Sequence, residues 1–234
     1  LEREEDSPVI IAALAYILRG CPNSHGTYPV IVATGREGSA KSTFMKIIKK
    51  LVDPGTPSTR TPTADLKDLF IGANNALVYS LDNVSFFNHE MSDALCSLAT
   101  GGGFARKTNY TDDEETIFDI RRAILLNGIS FDIAPDLLSR SILIELRPPS
   151  VYRTEEEIWA TVERIRASVL GGLLTMISDA MRNEQIIKLE QSKSGKDDSQ
   201  TRLADFKIFS IALERGQGWE EGRIISSLLT AQKD

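Results

Sequence analysis

Residues Gly35-Arg36-Glu37-Gly38-Ser39-Ala40-Lys41-Ser42-Thr43 have the types and spacing needed to hold a polyphosphate. An apolar run, Tyr28 to Thr34, precedes them, and a helical pattern, Thr43 to Val52, follows. A buried strand that ends in a glycine-bearing turn aims backbone N–H groups inward. The next helix adds the positive end of its dipole, so an anion is held by oriented amides. Lys41 would bring a point charge to the β- and γ-phosphates, and the Ser42 hydroxyl would fill one position on Mg²⁺. The spacing G-x-x-x-x-A-K-S puts Ala40 where the usual pattern has its second glycine. Alanine suits that place if φ is negative and is strained if φ is positive. The plainer reading is a Gly/Ser turn that happens to contain Lys and Ser.

Other residues at strand ends could complete this chemistry. Ala76-Leu77-Val78-Tyr79-Ser80-Leu81 reads as a buried strand ending in Asp82-Asn83, and resembles a Walker B segment whose carboxylate holds the Mg²⁺ hydration shell. An aspartate ending a strand also serves as a helix cap or turn residue. Asn83 stands where many such ATPases place a glutamate base, and an amide cannot take a proton. Asn83 could orient a water instead, with Glu37, Glu90, Glu114 or Glu115 as the base. A third strand, Ala123 to Leu126, ends in Asn127-Gly128, which fits an amide aimed at the γ-phosphate or equally an Asn-Gly turn. Arg140 precedes a fourth strand, Ser141 to Leu146. It is either a finger for a neighbour's γ-phosphate or an ordinary i, i+4 partner of Asp136.

The elements around these residues follow from periodicity and capping. Ser7-Pro8 starts an entry helix with Ile10, Leu14, Ile17 and Leu18 on one stripe, and Gly20 ends it. His25 lies in a turn-rich connection. Phe44, Ile47, Ile48 and Leu51 give the helix after the loop its inner face, with Lys46, Lys49 and Lys50 on a solvated one. Asp65 to Ile71 and Met91 to Ala99 read as helices, and Thr100 to Gly103 breaks the second. Two extended arms, Phe104 to Tyr110 and Thr116 to Ile120, flank a polar turn with Asp112, Asp113, Glu114 and Glu115, which predicts a hairpin. Thr154 and Glu157 form a capping box for a helix reaching about Arg182. Gln191 to Gln200 reads as a polar linker. Helices over Leu203 to Leu213 and Trp219 to Leu229 complete the chain, with Phe206, Phe209 and Trp219 as core residues.

The chain has 234 residues and is 41% apolar, enough for a packed core. No run approaches the roughly 18 apolar residues of a membrane span, so it reads as a soluble cytoplasmic protein. Cys21 and Cys96 are far apart and there are two histidines, which argues against a disulfide framework or a zinc site. A net charge of −6 argues against coating nucleic acid with the whole surface, while a local basic channel stays open. The start at Leu1 suggests part of a longer protein, with primase or other domains outside it.

Taken together, G-R-E-G-S-A-K-S-T, L-V-Y-S-L-D-N-V-S, L-C-S-L-A-T-G-G-G-F-A-R-K with its hairpin, I-L-L-N-G-I and D-L-L-S-R-S-I resemble the superfamily 3 helicase-like ATPases of phages, plasmids and mobile elements. The likeness covers about Tyr28 to Leu146, and Arg202-Leu203-Ala204-Asp205-Phe206 extends it less specifically. It implies an α/β fold: an AAA+-like P-loop NTPase with a parallel sheet flanked by helices. The divisions are an N-terminal helix and connection over 1–27, the ATPase core over 28–150 and a C-terminal helical subdomain over 151–234. It implies ATP and Mg²⁺ as cofactors, contacted by Gly35, Glu37, Gly38, Ser39, Ala40, Lys41, Ser42 and Thr43, with Ser42 and Asp82 at the metal. Lys41, Asp82, Asn83 and Asn127 would act in cis and Arg140 on the next protomer of a hexameric ring. Arg106 and Lys107 would contact DNA. Two readings from other classes compete: a nucleotide-binding sensor or assembly module with little turnover, and a small-molecule P-loop kinase, which would need an acceptor lid that the sequence does not display.

Overall fold

The structure is a computed structural model that describes residues 1, 3–21, 26–107, 115–129, 132–194 and 201–233. Four parallel strands make the central sheet: β1 (Val30–Thr34), β2 (Val78–Leu81), β5 (Ala123–Asn127) and β6 (Ser141–Glu145), in the order β2-β5-β1-β6. β1 lies between β5 and β6, with Val30 opposite both Ile124 and Ser141. All four therefore deliver their C-terminal ends to one edge.

Both faces of this sheet are covered, which is why its strands are nearly continuous apolar runs. Side chains alternate across a strand. Ile31 and Ala33 of β1 join one core with Val78, Leu125, Ile142 and Ile144. Helices α1 (Asp6–Arg19), α2 (Lys41–Val52), α6 (Glu155–Ser194), α7 (Ala204–Gln217) and α8 (Arg223–Ala231) close that face. Val30 and Val32 join the other core with Tyr79, Leu81, Ile124 and Leu126, under α3 (Leu66–Asn74), α4 (His89–Thr100) and the short α5 (Pro135–Leu138).

The entry helix α1 begins at Asp6, one residue before the expected Ser7 cap, and its N-cap Glu5 makes no side-chain bond. It is apolar all round because it is enclosed. Val9, Ala12, Ala13, Ala15, Tyr16 and Ile17 are fully buried, and the Tyr16 ring meets Phe206 and Phe209 edge-on. Phe206 and Phe209 are thus core residues as expected, and Trp219 is partly buried against the same cluster. Both cysteines are free.

Lys49 corrects the expectation of a solvated lysine face on α2. It is 3% exposed, and its Nζ donates to Asp53 Oδ2 at 2.5 Å and to the Val78 carbonyl at 2.7 Å. Asp53 Oδ2 also accepts from the backbone N–H groups of Leu77 and Val78, at 2.9 Å each. The end of α2 is thereby clamped to the start of β2. On the partner strand, Arg122 donates Nε to the Ala73 carbonyl at 2.9 Å and Arg121 donates Nε to the Thr100 carbonyl at 2.9 Å, tying the entry of β5 to the ends of α3 and α4.

The expected hairpin is present as the antiparallel pair β3 (Phe104–Lys107) and β4 (Glu115–Phe118), whose second arm takes in Glu115, expected in the turn, and ends at Phe118 instead of Ile120. Its acidic tip at Asp112, Asp113 and Glu114 lies outside the described residues, as does His25. The helix expected to stop near Arg182 runs on to Ser194, because the buried stripe Leu173, Ile177, Ala180, Glu184, Ile187 continues unbroken against α7. That takes in the first residues of the expected linker; 195–200 lie outside the described residues. No described helix is long and apolar enough to cross a membrane.

Candidate functional site

The turn between β1 and α2 is built by two glycines that no other residue could replace unchanged. Gly35 has φ 138°, and a Cβ there would lie 2.2 Å from the Leu146 carbonyl oxygen and 2.9 Å from Ser39 Oγ. Gly38 has φ 78°, with the Tyr152 hydroxyl 3.3 Å from where a Cβ would sit. Ala40 takes the strained alternative: φ is 58° and ψ 28°, in the left-handed region.

That loop leaves the N-terminus of α2 open. Ala40 is its N-cap and has no side-chain acceptor, and the first turn carries no acidic residue. By contrast Asp65 caps α3 through the Lys67 N–H, and Asn88 caps α4 through the Met91 N–H. An uncapped helix start with a lysine at its first position is suited to an anion. Lys41 Nζ donates to the carbonyls of Gly35 at 2.8 Å and Arg36 at 2.9 Å, and to Ser39 Oγ at 3.4 Å. Its ammonium thus lies over the loop. Ser39 is buried, while Glu37 is exposed and Thr43 half-buried.

Two strand ends meet this loop. Ser42 Oγ donates to Asp82 Oδ1 at 2.7 Å, which joins the first turn of α2 to the end of β2 across the sheet edge. Asn83, just after Asp82, has φ 59°, a left-handed conformation that asparagine tolerates. Its N–H donates to Asn127 Oδ1 at 2.6 Å, and the Val84 N–H donates to the Asn127 carbonyl at 2.7 Å. Because Oδ1 of Asn127 is taken, its Nδ2 faces away from that bond, and this buried amide donor has no partner among the described residues. An unmet buried donor costs about 1–3 kcal/mol, so it asks for an acceptor. Short bonds thus join Ser42 to Asp82 and Asn83 to Asn127 at the edge where Lys41 begins α2.

The oxygen pair of Ser42 and Asp82 fits a hard divalent cation that keeps most of its own water. Glycines that a Cβ would block, an open helix end, an ammonium and an orphaned amide fit a polyphosphate. An open cleft of about 870 Å³ runs beside the loop, lined by Ala40, Thr43, Phe44, Ile47, Val151 and Ile158. Another of about 470 Å³ lies on the far side of Asp82, among Thr59, Arg60, Thr61 and Tyr79. Sequence reasoning missed both. Arg60 was hidden in a Thr/Pro-rich stretch, yet its backbone forms a bridge to Leu81, accepting from the Asp82 N–H at 2.8 Å and donating to the Ser80 carbonyl at 2.9 Å.

Other candidates lie elsewhere. Arg140 Nη1 donates to Asp136 Oδ1 at 2.7 Å and to the Asp136 carbonyl at 2.8 Å, so within its own chain it makes the plain i, i+4 pair. Its carbonyl accepts from the Val30 N–H, which puts it where the strands begin, at the edge opposite the loop. Arg106 and Lys107 lie on β3, opposite Thr116 and Glu115. Glu90 is in the first turn of α4 and exposed, and Glu115 is on β4.

No curated protein matches the chain. Among solved structures it is similar to one titled as the active helicase Cch of SCCmec type IV, at a TM-score of 0.53 and 14% identity, over 96% of this chain and 47% of that one. The C-terminal region of NrS-1 matches at a TM-score of 0.47 and 14% identity, over 96% and 66%. A JCV helicase matches at 0.39 and 12%, over 91% and 66%. The chain spans about half the length of the Cch helicase, and at that identity the likeness is one of fold: a parallel sheet flanked by helices. Sequence is more specific, for residues 6–220 match one family, so that the chain belongs to the actinomycete integrative conjugative element replication proteins.

Proposed function

We propose that this chain is the ATP-hydrolysing motor domain of a replication protein, a P-loop NTPase of the superfamily 3 helicase type that works on DNA as an oligomeric ring. The observation that carries the reading is the Ser42–Asp82 contact at 2.7 Å beside the uncapped, lysine-bearing start of α2. Membership of a replication-protein family and a helicase-like fold support it.

In this reading Lys41 and the amides of Gly35 to Ser42 hold the phosphates, and Ser42 with Asp82 holds Mg²⁺. When bound, ATP would supply a phosphoanhydride bond whose cleavage is downhill, and Mg²⁺ would partly neutralise the charge on its phosphate oxygens. Asn127 gives Nδ2 to a phosphate or water oxygen, while the Asn83 N–H keeps the amide in that orientation. The cleft against Phe44, Ile47 and Ile158 takes the nucleoside. Arg140 acts on a neighbour's nucleotide, Arg106 and Lys107 face DNA, and flanking domains such as a primase supply further activity.

A second reading is favoured by Asn83, which leaves no carboxylate directly after Asp82: a module that binds ATP and turns it over slowly. Steady-state hydrolysis with and without single-stranded DNA separates the two, since DNA-stimulated turnover is expected of the motor and binding without turnover of the sensor. Lys41→Ala is expected to lower ATP affinity at least about 100-fold, the loss of one charged contact to the phosphates. Unchanged affinity in that variant would overturn the site.

A further inference from the structure

Asp136 Oδ1 accepts two guanidinium groups, Nη1 of Arg140 and Nη1 of Arg202. One carboxylate offsets one of these charges, so the trio keeps a net positive charge on the surface. The two arginines are held differently. Arg140 is 16% exposed and bound twice by Asp136, whereas Arg202 is 59% exposed and bound by Oδ1 alone. Nε and Nη2 of Arg202 have no partner among the described residues.

As a clip, such an exposed bridge contributes little, about 0–1 kcal/mol. Its position is more telling. Asp136 sits in α5 just before β6, and Gln232 at the end of α8 donates to the carbonyls of Leu138 and Ser141, fixing the same corner to the C-terminal helices. Arg140 immediately precedes β6 and its carbonyl accepts from the Val30 N–H, while the Gly35–Thr43 loop follows Thr34 at the other end of β1. Four strand steps, about 13 Å, separate the two edges. The arginine pair therefore serves no phosphate in its own chain. A guanidinium with free, forked donors beside a second one suits a multiply charged oxyanion.

We propose that Arg202 acts with Arg140 on the triphosphate held by the Gly35–Thr43 loop of a second copy of this chain, and that Asp136 is the positioning residue presenting both. This rests on the ATPase reading above. Arg202 has the exposure needed to cross a subunit boundary, and the shared carboxylate fixes its spacing from Arg140.

The test uses the full chain under conditions where the unmodified protein hydrolyses ATP. Arg202→Ala is expected to lower kcat at least about tenfold, on the scale of arginine contacts in other P-loop enzymes, while ATP affinity stays within about twofold. Arg202→Lys should recover little, because an ammonium lacks the fork. The deciding arm mixes Arg202→Ala, slowed alone, with Lys41→Ala, which lacks nucleotide binding. In a head-to-tail assembly about one interface in four then joins an intact loop to an intact arginine, so turnover returns. No recovery at any ratio, with both variants folded by thermal unfolding, would overturn the role in trans. Absence of Lys41-dependent turnover in the unmodified chain would instead sink the ATPase reading itself.

Discussion

Ala40, with φ 58° at the boundary of α2, puts its β-carbon where only glycine is at ease. The strain fits a loop whose path is fixed at Gly35 by the Leu146 carbonyl. Ala40→Gly is expected to raise stability by about 1 kcal/mol, since the left-handed penalty it relieves exceeds the extra freedom glycine has when unfolded. An unchanged or lower urea midpoint would show that the loop relaxes around alanine. Sequence left this φ open, because the sign depends on how the chain returns past Leu146, more than one hundred residues away. Lys41, Ser42, Asp82 and Asn127 were legible for the opposite reason: each sits at the end of an apolar run or just after a glycine turn, so local pattern alone gave its place. Their meeting at one edge is a fact of strand order, which no local pattern contains.

At the scale of elements, the Lys49–Asp53 clamp between α2 and β2 shows where periodicity misleads. The 3.6 repeat puts Lys49 beside Lys46 and Lys50, and only the arrival of β2 buries it. Burial works against the Asp53 charge, but the Lys49 ammonium and the N–H groups of Val78 and Leu77 outweigh it and hold its pKa below the usual carboxylate range. A lowered folded pKa gives stability that is present above the unfolded pKa and lost as pH falls through the folded one. Asp53→Asn is therefore expected to cost about 3 kcal/mol at pH 7, the penalty for a buried cation left without its partner. The gap to the unmodified chain should narrow below about pH 4. Urea unfolding at pH 7 and pH 3 checks this, and a gap that ignores pH would remove the charge from the explanation. The extension of α6 to Ser194 has a similar origin, for the polar segment after Arg182 is helical where Glu184 pairs with Arg19 and Ile187 packs inward.

For the whole molecule, the two sheet edges divide the candidate chemistry: loop, carboxylate and amide at one, Arg140, Asp136 and Arg202 at the other. Copies of the chain must meet if both halves are to serve one nucleotide. Adding ATP and Mg²⁺ is expected to convert the chain into a larger assembly in sedimentation; an unchanged mass at every concentration would remove the ring.

The strand order also bears on how the chain is made. β1 pairs with β5 and β6 and never with β2, so Val30 to Thr34 has no sheet partner until residues beyond 123 exist. At translation speeds of roughly 5–20 residues per second, an apolar strand waits about 5–20 s on the ribosome before its neighbour emerges. Protection of that nascent segment by chaperones, more than the final stability of the sheet, would then govern the yield of native protein.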